Sequence, residues 1–171
     1  MGHSEHQKHA QDHGPGPQPC AVITVSDTRT FNTDSSGRLI VEALQGAGHH
    51  ITFYEIVRDE PDQIAALLRR LAGEVRVILL TGGTGITPRD TTYEAVEALL
   101  EKRLPGFGEL FRMLSYEEIG AAAMLSRATA GVYRGTLVFS MPGSSAAVRL
   151  ALEKLIMPEL DHMLWSMLGQ T

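Results

Sequence analysis

Two loops of this 171-residue chain carry glycines, hydroxyls and carboxylates in an order suited to holding phosphate. The first is Thr81-Gly82-Gly83-Thr84-Gly85, which follows the apolar run VRVILL (75–80) and leads into Thr87-Pro88-Arg89-Asp90. Glycines in such a turn let backbone N–H groups face one anion with no Cβ in the way. The pattern is not a P-loop, which continues Gly-Lys-Ser/Thr, and its glycine spacing is not that of the dinucleotide fingerprint. The second loop, Pro142-Gly143-Ser144-Ser145, opens a helix whose free N–H groups form another anion-accepting end, while Ser144 equally suits a plain N-cap. Asp90 stands at a helix start, and Asp59 stands beside Glu60-Pro61 at another. Each carboxylate suits either a helix N-terminus or Mg²⁺, whose preference for hard oxygen matches carboxylate plus phosphate. Ser26-Asp27-Thr28 leaves a third apolar run at a comparable point. His49, His50 and His162 fall at a strand start and in the last helix, so no Ser-His-Asp constellation is expected.

These residues meet only if the segments between them alternate strand and helix. AVITV (21–25), ITFYEIV (51–57), VRVILL and TLVFSM (136–141) read as strands, and each runs directly into one of the polar groups above. Helices are expected over 35–45, over 61–72 with Pro61 in the first turn, and from Thr91 to about Lys102, with Thr91 and Glu94 as a capping box. Residues 107–125 read as two short helices around Gly120, and ATAGVY with TLVFSM as a hairpin about Arg134-Gly135. A helix then runs to Pro158, and Leu160, Met163, Leu164, Met167 and Leu168 form an apolar stripe suited to core or subunit contact. This order predicts an α/β fold, a mostly parallel central sheet with helices on both faces and one antiparallel strand pair. In such sheets ligands bind outside the carboxyl ends of the strands, where these loops lie.

Composition sets the outer bounds. With 43% hydrophobic and 20% charged residues the chain is that of one globular domain, expected over 20–171. Residues 1–19 hold His3, His6, His9 and His13 among Gly-Pro repeats and read as a polar disordered tail, where a selective metal site is not expected. A net charge of −5 argues against a nucleic-acid binder or anionic-membrane binder. The single cysteine, Cys20, excludes an intramolecular disulfide, and no apolar run spans a bilayer, so a cytoplasmic protein is expected.

ILLTGGTGITPRD (78–90), with VSD (25–27), DSSG (34–37) and MPGSS (141–145), resembles the molybdenum cofactor biosynthesis family that includes the bacterial MoaB and MogA proteins and the N-terminal domain of gephyrin. PGFGELFRMLSYEEIG (105–120) is particularly similar to the MoaB branch, and the resemblance covers roughly 21–160. It implies a molybdopterin-binding, MogA-like fold and adenylylation of molybdopterin by Mg-ATP with release of pyrophosphate. It further implies Asp59 and Asp90 as catalytic and metal-holding residues. Ser26, Asp27, Thr28, Thr81–Gly85, Pro142, Gly143 and Ser144 would bind the ligands. Molybdenum or tungsten would be the metal finally inserted, a homotrimer or hexamer the assembly, and other cofactor-biosynthesis proteins the partners. Some MoaB members lack one of the two acidic positions, whereas this chain has both. The first loop departs from the family in placing Thr30-Phe31-Asn32 where glycine is frequent. The competing expectations are a non-catalytic molybdopterin-binding scaffold and a nucleotide pyrophosphatase of the competence-damage type, whose domains typically have leucine where Thr84 stands.

Overall fold

The computed structural model describes residues 15–168. In chain order its elements are β1 (Pro19–Val25), α1 (Ser35–Gly46), β2 (His50–Val57), α2 (Pro61–Leu71), β3 (Val77–Thr81), α3 (Thr92–Glu97), β4 (Lys102–Arg103) and α4 (Pro105–Ile119). A 3₁₀ segment (Gly120–Leu125), β5 (Thr129–Tyr133), β6 (Thr136–Met141), α5 (Ser145–Ala151), a π turn (Leu152–Ile156) and α6 (Met157–Leu168) complete it. The sheet order is β2-β1-β3-β6-β5-β4. Neighbours β2, β1, β3 and β6 are parallel, and β5 runs against both β6 and the two-residue edge strand β4. The expected hairpin is present, with Arg134 at φ 48 in its turn.

β3 is apolar at almost every position because helices cover both faces of the sheet. Val77 and Leu79 join one core with Ile40, Leu44, Phe111, Phe139, Ile156 and Leu164, under α1, α4, α5 and α6. Ile78 and Leu80 join the other with Ile23, Ile64, Leu68 and Val96, under α2 and α3. Each large side chain so buried contributes about 1.5–3 kcal/mol, so the strand ends are set by two independently packed layers. Leu160 and Leu164 of the C-terminal stripe are core, with Met163, Met167 and Leu168 partly buried against it.

Four local expectations change. The Thr91/Glu94 capping box does not form: the Thr91 hydroxyl donates to Asp59, Glu94 pairs with Arg127, and α3 stops at Glu97 well short of Lys102. Residues 105–119 form one continuous helix, and only the part after Gly120 is short and 3₁₀. Pro158 does not end a helix. The π turn before it bonds Met157 N–H to Leu152 O, and this wider turn lets the helix pass a residue that has no N–H to give. Finally, β1 begins at Pro19, inside the stretch assigned to the tail; residues 1–14 lie outside the described residues.

Candidate functional site

β1, β3 and β6 are neighbours, and their outgoing loops enclose a cavity of about 340 Å³. From β1 the chain moves to β2 on one side, and β3 lies on the other, so the loops diverge there and leave a crevice. Of the residues expected at the site, Ser26, Thr81–Gly85, Asp90, Pro142 and Gly143 line the cavity. Asp27, Thr28, Asp59 and Ser144 do not.

Close approach of the loops explains the glycines. Gly82 has φ 100, and a Cβ there would stand 2.2 Å from the carbonyl oxygen of Val25, so only glycine lets the ends of β1 and β3 meet. Gly83 and Gly85 make room for carboxylates. A Cβ on Gly83 would lie 2.4 Å from Asp59 Oδ2 and 2.1 Å from Thr92 Oγ1, and one on Gly85 would lie 2.6 Å from Asp90 Oδ2. The space that side chains would take at Gly83 and Gly85 is filled by the protein's own acidic groups.

Both carboxylates are anchored the same way. Asp59 Oδ1 accepts from Thr91 N–H at 3.0 Å and from its hydroxyl at 2.7 Å. Asp90 Oδ2 accepts from Thr87 N–H at 3.1 Å and from its hydroxyl at 2.5 Å. In each case the second oxygen has no hydrogen-bond donor among the described residues, and the buried Thr92 Oγ1 beside Asp59 has no partner either. No group of three or more His, Cys, Asp and Glu suited to a metal occurs among the described residues. A cation here would take two carboxylates, hydroxyl oxygen and oxygens from a ligand, a donor set that fits Mg²⁺.

The remaining expected residues have local roles. Ser144 Oγ accepts from Ala147 N–H at 3.2 Å and caps α5. Asp27 forms a two-pronged pair with Arg89 at 2.7 and 2.8 Å, and Arg89 also reaches Glu60 at 2.8 Å. This arginine, whose hydrogen bonds hold the Asp27 carboxyl below its ordinary pKa, ties the loop after β3 to those after β1 and β2. Thr28 is exposed, and its N–H donates to Ser26 Oγ.

Sequence reasoning passed over Arg29 in the cavity lining and several residues that lie outside the lining and brace the loops around it. Asp34 is wholly buried and caps α1, accepting from Thr24 Oγ1 at 2.6 Å, Tyr54 Oη at 2.7 Å and Gly37 N–H at 2.9 Å. Burial alone would raise its pKa, but those hydrogen bonds and the nearby Arg29 outweigh it and hold the carboxyl below the usual range. Arg29 lines the cavity and donates from Nη1 to Asp34 at 3.3 Å and from Nη2 to Gly143 O at 2.8 Å. Ser36 Oγ donates to the same carbonyl at 2.8 Å, and Ser35 Oγ meets Ser145 Oγ at 2.7 Å, so the starts of α1 and α5 are fastened together. Arg127 donates to Thr84 O at 2.9 Å and pairs with Glu94. An Asp before Ser-Ser-Gly is a readable cap signal, and Arg29 belongs to a strand-end loop. Nothing local points to Arg127.

Residues 21–162 match the family described as probable molybdopterin binding domain. Molybdenum cofactor biosynthesis protein B of Bacillus subtilis (strain 168) is 57% identical over 159 residues, covering 91% of this chain and 93% of that protein. A crystal structure of a molybdenum cofactor biosynthesis protein B superposes with a TM-score of 0.87 at 53% identity, covering 92% of this chain and 100% of the other. The tungsten cofactor synthesizing protein MoaB from Pyrococcus furiosus gives a TM-score of 0.78 at 44% identity, covering 88% and 96%.

Proposed function

The chain belongs to the probable molybdopterin binding domain family and to its molybdenum or tungsten cofactor biosynthesis branch, and from that premise we propose that it adenylylates molybdopterin with Mg-ATP. An oxygen of the molybdopterin phosphate attacks the α-phosphorus of ATP. The bond from that phosphorus to the β-bridging oxygen breaks, and pyrophosphate leaves with the electron pair. A phosphomonoester with a second pKa of about 6 is largely dianionic near neutrality, so no side chain need remove a proton.

The observation that carries the reading is the matched anchoring of Asp59 and Asp90 beside the glycine loop. Each has one oxygen fixed by a threonine and the other free to hold Mg²⁺. Bound there, Mg²⁺ would neutralise charge on the ATP phosphates and on the leaving pyrophosphate. The backbone of Thr81–Gly85 orients phosphate, and Ser26 with the Pro142–Ser144 turn orients the other end of the ligand. Asp27 and Thr28 support this from outside the cavity.

Incubation with molybdopterin and Mg-ATP should yield the adenylylated product and pyrophosphate. A non-catalytic molybdopterin-binding protein is the second reading, favoured by the position of Asp59 behind Gly83 rather than in the cavity lining. Molybdopterin binding without product would decide for it. The homotrimer or hexamer belongs to the same proposal, along with contacts to other cofactor-biosynthesis proteins. Leu110, Met113, Tyr116, Ile119 and Met124 leave an exposed apolar surface on α4 and the 3₁₀ segment that assembly would cover. No helix among the described residues is long and apolar enough to cross a membrane, and the buried thiol of Cys20 suits the cytoplasm we propose as its location.

A further inference from the structure

Among the described residues that line the cavity, Arg29 is the one that carries a positive charge, and it is fixed at both ends. Its own N–H donates to Ser26 Oγ at 3.1 Å, which sets the backbone. Its guanidinium is held by Asp34 on one side and by the Gly143 carbonyl on the other. Asp34 is in turn locked by Thr24, Tyr54 and Gly37, so the cation stands on a buried pedestal whose charge a ligand does not meet. Of the five N–H donors of a guanidinium, these contacts use two. The Arg29 side chain is 29% exposed, and the remaining donors form a planar fork of the kind that matches two oxygens of one phosphate.

We propose that Arg29 recognises a terminal phosphomonoester dianion of the ligand, so that the site selects phosphorylated compounds over their dephosphorylated analogues. This rests on the reading above that the cavity takes phosphate. It adds the residue that supplies the positive charge, which the glycine loop, with Asp59 and Asp90 against it, does not. Ser36 separates this role from a purely mechanical one. Its hydroxyl holds the same Gly143 carbonyl but brings no charge.

The test is a ³¹P and protein NMR titration of the full chain with phenyl phosphate, with phenol as the uncharged control. Arg29→Gln should weaken phenyl phosphate about tenfold to a hundredfold, the size expected for loss of a charge-assisted hydrogen-bond pair. Arg29→Lys, which keeps the charge but not the fork, should fall in between, and it stands as the test variant if Arg29→Gln does not fold. Ser36→Ala should bind phenyl phosphate as the parent does, and phenol binding should be the same in all variants. Parental affinity in both Arg29 variants would overturn the proposal, as would a loss in Ser36→Ala equal to that in Arg29→Gln. Phosphate binding that depends on Arg29 in a protein forming no adenylylated molybdopterin would uphold this role while removing the adenylylation reading. Turnover with an unchanged KM for molybdopterin in Arg29→Gln would do the reverse.

Discussion

Gly83 and Asp59 share one space: a side chain on the glycine would begin 2.4 Å from the free carboxylate oxygen Oδ2. The loop and the acid are therefore a single packed unit, completed by Thr92, whose N–H donates to Gly83 O at 3.0 Å. Any residue placed at position 83 must displace the carboxylate that the proposed chemistry needs.

Gly83→Ala should accordingly act on the fold and on the acid together. The left-handed backbone at φ 66 costs an alanine about 1–2 kcal/mol, and the contact with Asp59 adds to it. Urea titration should show lower stability, and turnover per folded molecule should drop as well. Loss of ligand binding with stability unchanged would return Gly83 to a purely ligand-facing role.

Asp59→Asn and Asp90→Asn keep an oxygen that can accept from Thr91 or Thr87 but remove the charge. Each should reduce magnesium-dependent turnover by more than ~100-fold, comparable with loss of one strong electrostatic stabiliser. Molybdopterin affinity should change far less. Turnover equal to the parent in both variants would remove them from the metal-holding role.

Acid should destabilise the protein in two stages. His49 is buried with no hydrogen bond to Nε2, and burial, opposed by the Asp161 carboxylate 3.9 Å from that atom and reinforced by His50, holds its pKa below the ordinary value. The unfolded chain therefore binds the proton more readily. Stability from this residue is fully present above about pH 6.5 and is lost as pH falls toward the folded pKa. Asp34, also depressed, adds a loss that begins below about pH 3.9 and continues through its folded pKa. Denaturant midpoints measured from pH 8 to 3 should trace the first stage and the onset of the second, and His49→Asn should flatten the first. A first stage of equal size in that variant would assign it to another group.

Removal of residues 1–14 should leave the melting temperature unchanged. Removal through Pro19 should not. Gln18 O accepts from His50 N–H at 3.0 Å, Pro19 O accepts from Arg76 N–H at 2.9 Å, and Gln18 N–H donates to His49 Nδ1 at 3.3 Å. At about 1 kcal/mol each these contacts amount to a few kcal/mol. Differential scanning calorimetry of the two truncations should separate them by several degrees, and equal melting temperatures would make the start of β1 dispensable.

Much of this protein was legible along the chain because the relevant signals are local. Apolar runs gave the four parallel strands within about two residues, and alternation with helical segments gave the sheet class, since buried parallel strands and crossover helices impose those patterns on their own residues. The strand-end positions of Ser26, Thr81–Gly85 and Pro142–Gly143 followed, because a parallel sheet delivers all its outgoing loops to one edge. The direction in which each group faces was decided only by tertiary contact. That Gly83 clears space for Asp59, that Thr91 serves Asp59 rather than a capping box, and that Arg29 and Ser36 meet Gly143 across the sheet edge all depend on residues 24 or more positions apart. At Pro158 the deciding feature is local backbone geometry rather than side-chain pattern, since the helix continues because a π turn precedes it. Chain-local preferences fix where elements begin and run, but which of several satisfactory hydrogen-bond partners a polar group takes depends on what the packed layers bring within 3 Å of it.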